Sequence, residues 1–263
     1  MIRALSNAAS GMRAQETNID VLSNNLANVN TSGYKRARAE FADLLYSRQQ
    51  VAGGNSGTGT PLPVGQEIGN GVRTVATYKS FTDGEVKETS NPLDLTIEGK
   101  GFFQVLLPDG NTAYTRAGNF KTNASGELVN SDGYTLSPSL TIPADATSIS
   151  ISEAGVVSVT LGNDSTQVDV GEIQIASFAN PAGLTSMGRN LYGTTSASGQ
   201  PITGTPGEEG AGRILQGFLE MSNVRVVSEM IDLISAQRAY EINSKVIKAS
   251  DEMLSQATHL GRG

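Results

Sequence analysis

The side chains best suited to chemistry are few and scattered. The only histidine is His259, near the C-terminal end of the chain, and cysteine is absent. A Ser-His-Asp relay would have to borrow that tail, and a metal site would have to be built from carboxylates alone. A cation close to a helix C-terminus is the simpler role for His259. Two carboxylate pairs, Asp94 with Glu98 and Glu208 with Glu209, have the composition of a glycosidase dyad. Asp94 and Glu98 fall on the polar side of an alternating strand pattern, where solvated carboxylates are expected, and no tryptophan offers a sugar platform. Gly99-Lys100-Gly101 follows a strand pattern, but Phe102 and Phe103 continue it instead of opening a helix, which defeats a dinucleotide fingerprint. Gly207-Glu208-Glu209-Gly210-Ala211-Gly212 is acidic, the wrong sign for phosphate, and reads as a hinge. The triplets Asn123-Ala124-Ser125 and Asn163-Asp164-Ser165 fit a glycosylation acceptor but lie in Asn/Ser-rich stretches where such triplets are common. The sequence therefore predicts no enzyme, no cofactor and no metal.

Composition narrows the partners. The 263 residues carry a net charge of −7 with no Lys/Arg cluster, so a phosphate backbone has nothing to engage and nucleic acid is excluded. No stretch approaches the roughly 18 apolar residues of a spanning helix, so no membrane insertion is expected. The first residues, Met1-Ile2-Arg3-Ala4-Leu5-Ser6-Asn7, place polar groups where a signal peptide needs its apolar run, so any export is expected without a cleaved signal. Glycine is high at 30 residues and aromatics low at 5%, which leaves a thin core for the length.

The elements are predicted from periodicity. Leu5, Met12, Ile19 and Leu26 recur every seven residues from Ile2 to about Val29, with Ala8, Leu22 and Val29 in the second seam position and Gln15 interrupting it. This is a heptad-striped helix on the order of 40 Å long, which Gly33 is expected to stop. Val226, Leu233, Tyr240, Ile247 and Leu254 repeat the spacing from about Asn223, a candidate N-cap, to Thr258. Val227, Met230, Ile231, Ile234, Val246 and Met253 widen that stripe beyond what one partner helix covers. Between the ends the period falls to two, at Leu93/Leu95/Ile97, Ile149/Ile151, Val157/Val159/Leu161, Val168/Val170 and Ile173/Ile175. Asp83-Gly84, Asp109-Gly110, Ser125-Gly126 and Asp132-Gly133 read as turns.

The expected architecture is mixed α+β, with long N- and C-terminal helices forming a coiled-coil layer and an inserted all-β middle domain. Residues 1–34 and 214–263 form the terminal helical domain, 35–87 and 191–213 a connecting region, and 88–190 the β domain. Val51 to Gly71 has seven Gly and Gly193 to Gly212 has six, marking linkers on both sides. Two arrangements fit the stripes: the helices pair as a hairpin within the chain, or they pack on other copies. The long tethers and the wide C-terminal stripe favour self-association.

The segment from Leu22-Ser23-Asn24-Asn25-Leu26-Ala27-Asn28-Val29 to Asn30-Thr31-Ser32-Gly33-Tyr34-Lys35 resembles the N-terminal signature of bacterial flagellar rod and hook proteins. Asn91-Pro92-Leu93-Asp94-Leu95-Thr96-Ile97-Glu98-Gly99-Lys100-Gly101-Phe102-Phe103 and Tyr114-Thr115-Arg116-Ala117-Gly118-Asn119-Phe120 resemble its β-domain blocks. Ser222-Asn223-Val224 with Gln237-Arg238-Ala239-Tyr240-Glu241 is similar to its C-terminal helix. Length and the Gly-rich stretch before Leu62-Pro63 place the resemblance nearest the distal-rod branch, with the proximal-rod branch next. From another class, a cell-wall hydrolase or a secreted adhesin remains the alternative. The resemblance implies a structural subunit of the basal body that polymerises helically with itself, a rigid drive shaft whose terminal helices line an export channel. It implies proximal rod and hook proteins as axial neighbours, ring proteins around the rod, a periplasm-spanning location, and type III export. The 51–71 loop would bridge neighbours. The assembly interface is expected at Leu5, Met12, Ile19, Leu22, Leu26, Val29, Val226, Met230, Leu233, Tyr240, Ile247 and Leu254.

Overall fold

The computed structural model describes residues 2–50, 64–162, 167–208 and 210–260. Most of the expected 51–71 bridging loop, the Asn163-Asp164-Ser165 triplet, Glu209 and the terminal Gly261-Arg262-Gly263 lie outside the described residues. The protein is mixed α+β: two terminal helices, α1 (Ile2–Ala27) and α2 (Val226–Leu260), flank a strand-rich middle. The chain forms two compact units. One comprises Met1–Leu26, Ala37–Tyr78 and Val226–Gly263; the other comprises Ala27–Arg36 and Lys79–Arg225.

The first unit contains both helices and short antiparallel ribbons. Ser47–Gln50 pairs with Gln66–Ile68, placing Ser47 opposite Ile68. Ala37–Asp43 pairs with Val72–Lys79, whose final residue belongs to the second unit.

The second unit is built on Phe102–Leu106. This strand lies antiparallel to Thr112–Thr115, Thr135–Leu136 and Ile175–Ser177 within a nine-stranded sheet. Successive side chains of a strand point to opposite faces, so Phe102 and Phe103 serve different cores. Phe103 enters the main core with Val105, Phe120, Leu128, Val157 and Ile175, and its ring meets Phe120 edge-on at 5.2 Å. Phe102 enters a smaller aromatic cluster with Tyr114, Tyr192, Phe81 and Phe178, all edge-to-face. The meander Ala146–Ile151, Val156–Leu161 and Gln167–Glu172 adds Val157 and Val159 to the main core. The predicted alternation holds at Ile151, Val157 and Val159, whereas Val168 is exposed and Ser158 is buried.

Asp109-Gly110, Ser125-Gly126 and Asp132-Gly133 turn the chain between successive strands, as expected. Asp83-Gly84 differs. The Gly84 amide donates to Glu220 Oε1 at 2.9 Å, a long-range bond, and no hairpin closes there. Asp94 also differs from expectation: it is buried rather than solvated, accepting from Asn91 Nδ2 at 3.0 Å, because Leu95, Thr96 and Ile97 beside it are covered on both faces.

Two helix-boundary expectations are corrected. α1 ends at Ala27, short of Val29, and Gly33 does not cap it. Gly33 has φ +70 and a Cβ there would fall 2.5 Å from the Ala117 amide nitrogen, so its small size serves backbone packing within the second unit. α2 begins at Val226, so Asn223 is not its N-cap. The Asn223 side chain is occupied elsewhere, as described below.

Candidate assembly surface on the terminal helices

The two helices of the first unit run antiparallel. Asn25 Nδ2 donates to Glu229 Oε2 at 3.1 Å, and a Cβ on Gly11 would lie 3.0 Å from Asn243 Nδ2. These meeting points are separated by fourteen residues on each helix in opposite senses, 11 to 25 and 243 to 229. Apart from Leu22, the seam is made by small and polar groups: Ala8, Ala14 and Asn25 are buried on α1, and Glu229, Ala236 and Ser250 on α2. Small residues let the backbones approach closely, which is why Gly11 can face Asn243. Asn25 also binds Ala37 through both ends of its amide, accepting from the Ala37 amide and donating to its carbonyl at 2.8 Å each. The helix thereby fixes the strand that follows it.

The predicted interface residues divide between this seam and the surface. On α1, Leu22 is buried and Leu5, Met12, Ile19 and Leu26 are half-buried; Val29, half-buried too, lies past the helix end. On α2, Leu233, Ile247 and Leu254 are half-buried along the side that carries Glu229, Ala236 and Ser250. Val226, Met230 and Tyr240 are exposed. The flanking apolar residues face fully outward: Val227 is 72%, Ile231 58% and Ile242 59% exposed, and Ile234, Val246 and Met253 are also exposed. Ile231 follows Glu229 by two residues, about 200° around the helix. α2 thus carries a second apolar face on the side away from its seam. His259 sits exposed in its last turn, and among the described residues no three ligand-type side chains gather.

Sequence reading missed a second constellation, inside the other unit. Glu220 is buried and accepts from Lys35 Nζ at 2.5 Å, from the Gly84 amide, and from Arg116 Nη1 at 3.4 Å. Lys35 also donates to the Thr82 carbonyl at 2.7 Å. Burial pushes the Lys35 amine below its ordinary pKa, and the Glu220 carboxylate opposes that shift. Arg116 donates to the carbonyls of Ile97 (3.1 Å) and Gly99 (2.6 Å). Asn223 completes the arrangement. Its Oδ1 accepts from the Arg36 amide at 2.7 Å, while Nδ2 donates to the carbonyls of Ser80 and Thr82. The chain enters this unit at 27–36, re-enters at Lys79 and leaves at Arg225. All three passages are therefore tied by side chains of Lys35, Glu220 and Asn223. The hint in the sequence was that Lys35, Arg116 and Asn223 lie inside the signature blocks.

Known proteins match this chain from end to end. It is 49% identical over 264 residues to the flagellar basal-body rod protein FlgG of Borreliella burgdorferi, covering 100% of both chains.

The chain belongs to the flagellar basal-body rod protein family.

The FlgG proteins of Caulobacter vibrioides, 50% identical with 98% of this chain and 99% of that one covered, and of Bacillus subtilis, 41% identical with both chains fully covered, agree. Three family descriptions match separate parts of this rod protein. "Flagella basal body rod protein" matches residues 5–35, which is α1 through Lys35. "Flagellar hook protein FlgE/F/G D1 domain" matches 96–159, most of the main core. "Flagellar basal body rod FlgEFG protein C-terminal" matches 215–260, carrying Glu220, Asn223 and α2. The crystal structure of the Helicobacter pylori flagellar hook protein FlgE2 matches at 19% identity and TM-score 0.25, over 71% of this chain and 43% of that one.

Proposed function

We propose that this chain is a structural subunit of the distal rod of the bacterial flagellar basal body, polymerising through the outward apolar face of α2. The end-to-end identity to basal-body rod proteins carries the reading. The exposed stripe of Val227, Ile231, Ile234 and Ile242 supports it physically. Each such side chain gains ~1.5 to 3 kcal/mol on full burial, and a neighbouring subunit provides that burial. The half-buried heptad residues Leu5, Met12, Ile19, Leu26, Leu233, Ile247 and Leu254 then belong to a layer finished only by neighbours, with Val226, Met230 and Tyr240 at its rim. Proximal rod and hook proteins are the axial partners and ring proteins surround the shaft. The subunit reaches this periplasm-spanning position by type III export and performs no catalysis.

The test is complementation of a strain lacking its own distal rod protein, followed by electron microscopy of purified basal bodies. The unaltered chain restores complete rods bearing hooks. Ile231→Asp with Ile234→Asp stops assembly while the β-rich unit stays folded; complete rods from that variant would sink the surface assignment. Failure of the unaltered chain to support any rod, with the chain expressed and exported, would sink the rod reading itself. Turnover of purified peptidoglycan would reveal a hydrolase; none is expected.

A further inference from the structure

Within the first unit a second apolar surface lies on the ribbons that follow α1. Leu45 is 90% exposed, and Phe41 and Tyr46 near it are exposed as well. Phe41 and Asp43 share one face of their strand, Ala37–Asp43, and Asp43 holds the Tyr46 phenol above its ordinary pKa of 10.0 through a hydrogen bond. The Tyr46 ring lies against Gly69, where a Cβ would stand 3.5 Å from it. This patch is tied to the N-terminal half of α1: Arg3 donates to Ser47 Oγ at 3.4 Å, Asn7 Nδ2 to the Gly69 carbonyl at 3.1 Å, and the Val72 amide to Ser10 Oγ at 3.2 Å. The outward apolar run of α2, Val227 to Ile242, lies toward the other end of the helix pair, where Glu229 meets Asn25. The two patches are offset along the pair by about twelve residues of helix, roughly 20 Å. Arg238 stands within the α2 run, nine positions past Glu229 and so about 180° around the helix. Among the described residues neither Arg238 nor Asp43 has an ion-pair partner.

We propose that the outward run of α2 in one copy seats on the patch of Phe41, Leu45 and Tyr46 in a second copy, with Arg238 meeting Asp43 there, so that copies add head to tail. This rests on the reading that the chain polymerises through α2, and names the surface that receives it. Each patch exposes large apolar side chains that its own unit leaves in water, and each covers the other. The competing arrangement is two α2 helices related by a two-fold axis. Centred on the apolar run, that pairing sets Arg238 against Ile231 of the second copy, a charge desolvated by an apolar side chain. It also leaves the Leu45 patch uncovered. A two-fold contact closes at a dimer, whereas contact between two different patches leaves one of each free at the ends of every oligomer. Growth then continues along the helix pair.

The experiment mixes two full-length chains, each blocked at one patch, and follows them by sedimentation. One carries Leu45→Asp with Tyr46→Ser, the other Ile231→Asp with Ile234→Asp. All four residues are exposed, so both variants should keep the denaturant midpoint of the unaltered chain. The unaltered chain is expected to sediment as polymer and each variant alone as monomer. Their equimolar mixture should form a dimer and stop there, because each partner keeps one working patch. Assembly of the Leu45→Asp, Tyr46→Ser chain by itself overturns the proposal, and so does a mixture that stays monomeric. Arg238→Asp is a second probe: it should lower polymer formation several-fold, and Asp43→Arg in the same chain should restore it. Loss without that rescue overturns the Arg238 to Asp43 pairing. Failure of the unaltered chain to polymerise at all would sink the polymerisation reading, and this contact with it.

Discussion

In the β-rich unit the large apolar side chains face one another, with Phe103, Val105 and Val157 wholly buried. Along α2 the order is reversed: alanine, serine and a carboxylate are buried, and Ile231, Ile234 and Ile242 meet water. One region has closed its core, and the other keeps its large apolar side chains outside its seam. The difference shows that burial is assigned by what an element packs against, not by how apolar its side chains are. A helix can be rich in heptad leucines and isoleucines and still pair with its own chain through its smallest residues.

The contrast can be broken or sharpened by substitution, in order of the expected loss of stability. Phe103→Ala removes a ring from the closed core and should cost about 4 kcal/mol, read as a shift in the denaturant midpoint of the β-rich unit. A loss below about 1 kcal/mol would mean that this core is not closed. Glu220→Gln leaves Lys35 and Arg116 buried with less compensating charge, and should cost about 3 kcal/mol in the same measurement. Rescue by replacing Lys35 with Met in the Gln background would show that the stranded cation is the cause.

Tyr192→Phe is a finer probe. The Tyr192 hydroxyl is buried without a hydrogen-bond partner among the described residues, so its loss should change stability by no more than about 1 kcal/mol below pH 10, in the stabilising direction. Burial raises this phenol's pKa above its ordinary value of 10.0. Above that pH the unfolded chain releases the proton first, so stability falls as pH rises. The Phe variant should lose less stability there, while Tyr114, raised by burial as well, keeps part of the slope. Lys35 and Lys79 act with the opposite sign. Their pKa values are lowered, so the unfolded chain binds more protons below 10.5 and stability climbs as pH approaches that value. The smallest effect belongs to α2. Ile231→Ser with Ile234→Ser should leave the monomer's stability within about 0.5 kcal/mol while polymer formation, followed by sedimentation, is lost. A large destabilisation of the monomer would show that this face is already covered.

How much of this could be read beforehand follows from the kind of signal each part carries. The helices, the meander and three of the Asp-Gly or Ser-Gly turns were legible because apolar period and turn chemistry are local. Asp83-Gly84 misled because its amide is spoken for by Glu220, a contact 136 positions away that no local pattern records. The helix seam was hidden for a related reason. A search for large apolar residues every seven positions passes over Gly11, Ala14 and Ala236, which matter for their smallness, and over Asn243, which faces Gly11. Asn223 has the type of a helix cap and lies close to a helix start. Its four-way bonding to Arg36, Ser80 and Thr82 depends on three distant segments arriving together. Charge clusters such as Lys35 with Glu220 are illegible until the pairing partner is known, since each residue alone reads as an ordinary surface charge.

The tie between the three chain passages has a mechanical meaning. Tension carried along the backbone into the β-rich unit at 27–36, at Lys79 or at Arg225 first meets the bonds from Gly33 to the Glu220 carbonyl, from Lys35 to the Glu220 carboxylate, and from Arg36 to Asn223. These bonds join the passages across a few residues, so a pull on one is returned through another at the threshold. The three passages are thus joined to one another directly, through Glu220 and Asn223, and not only through the sheet that lies between them in the chain.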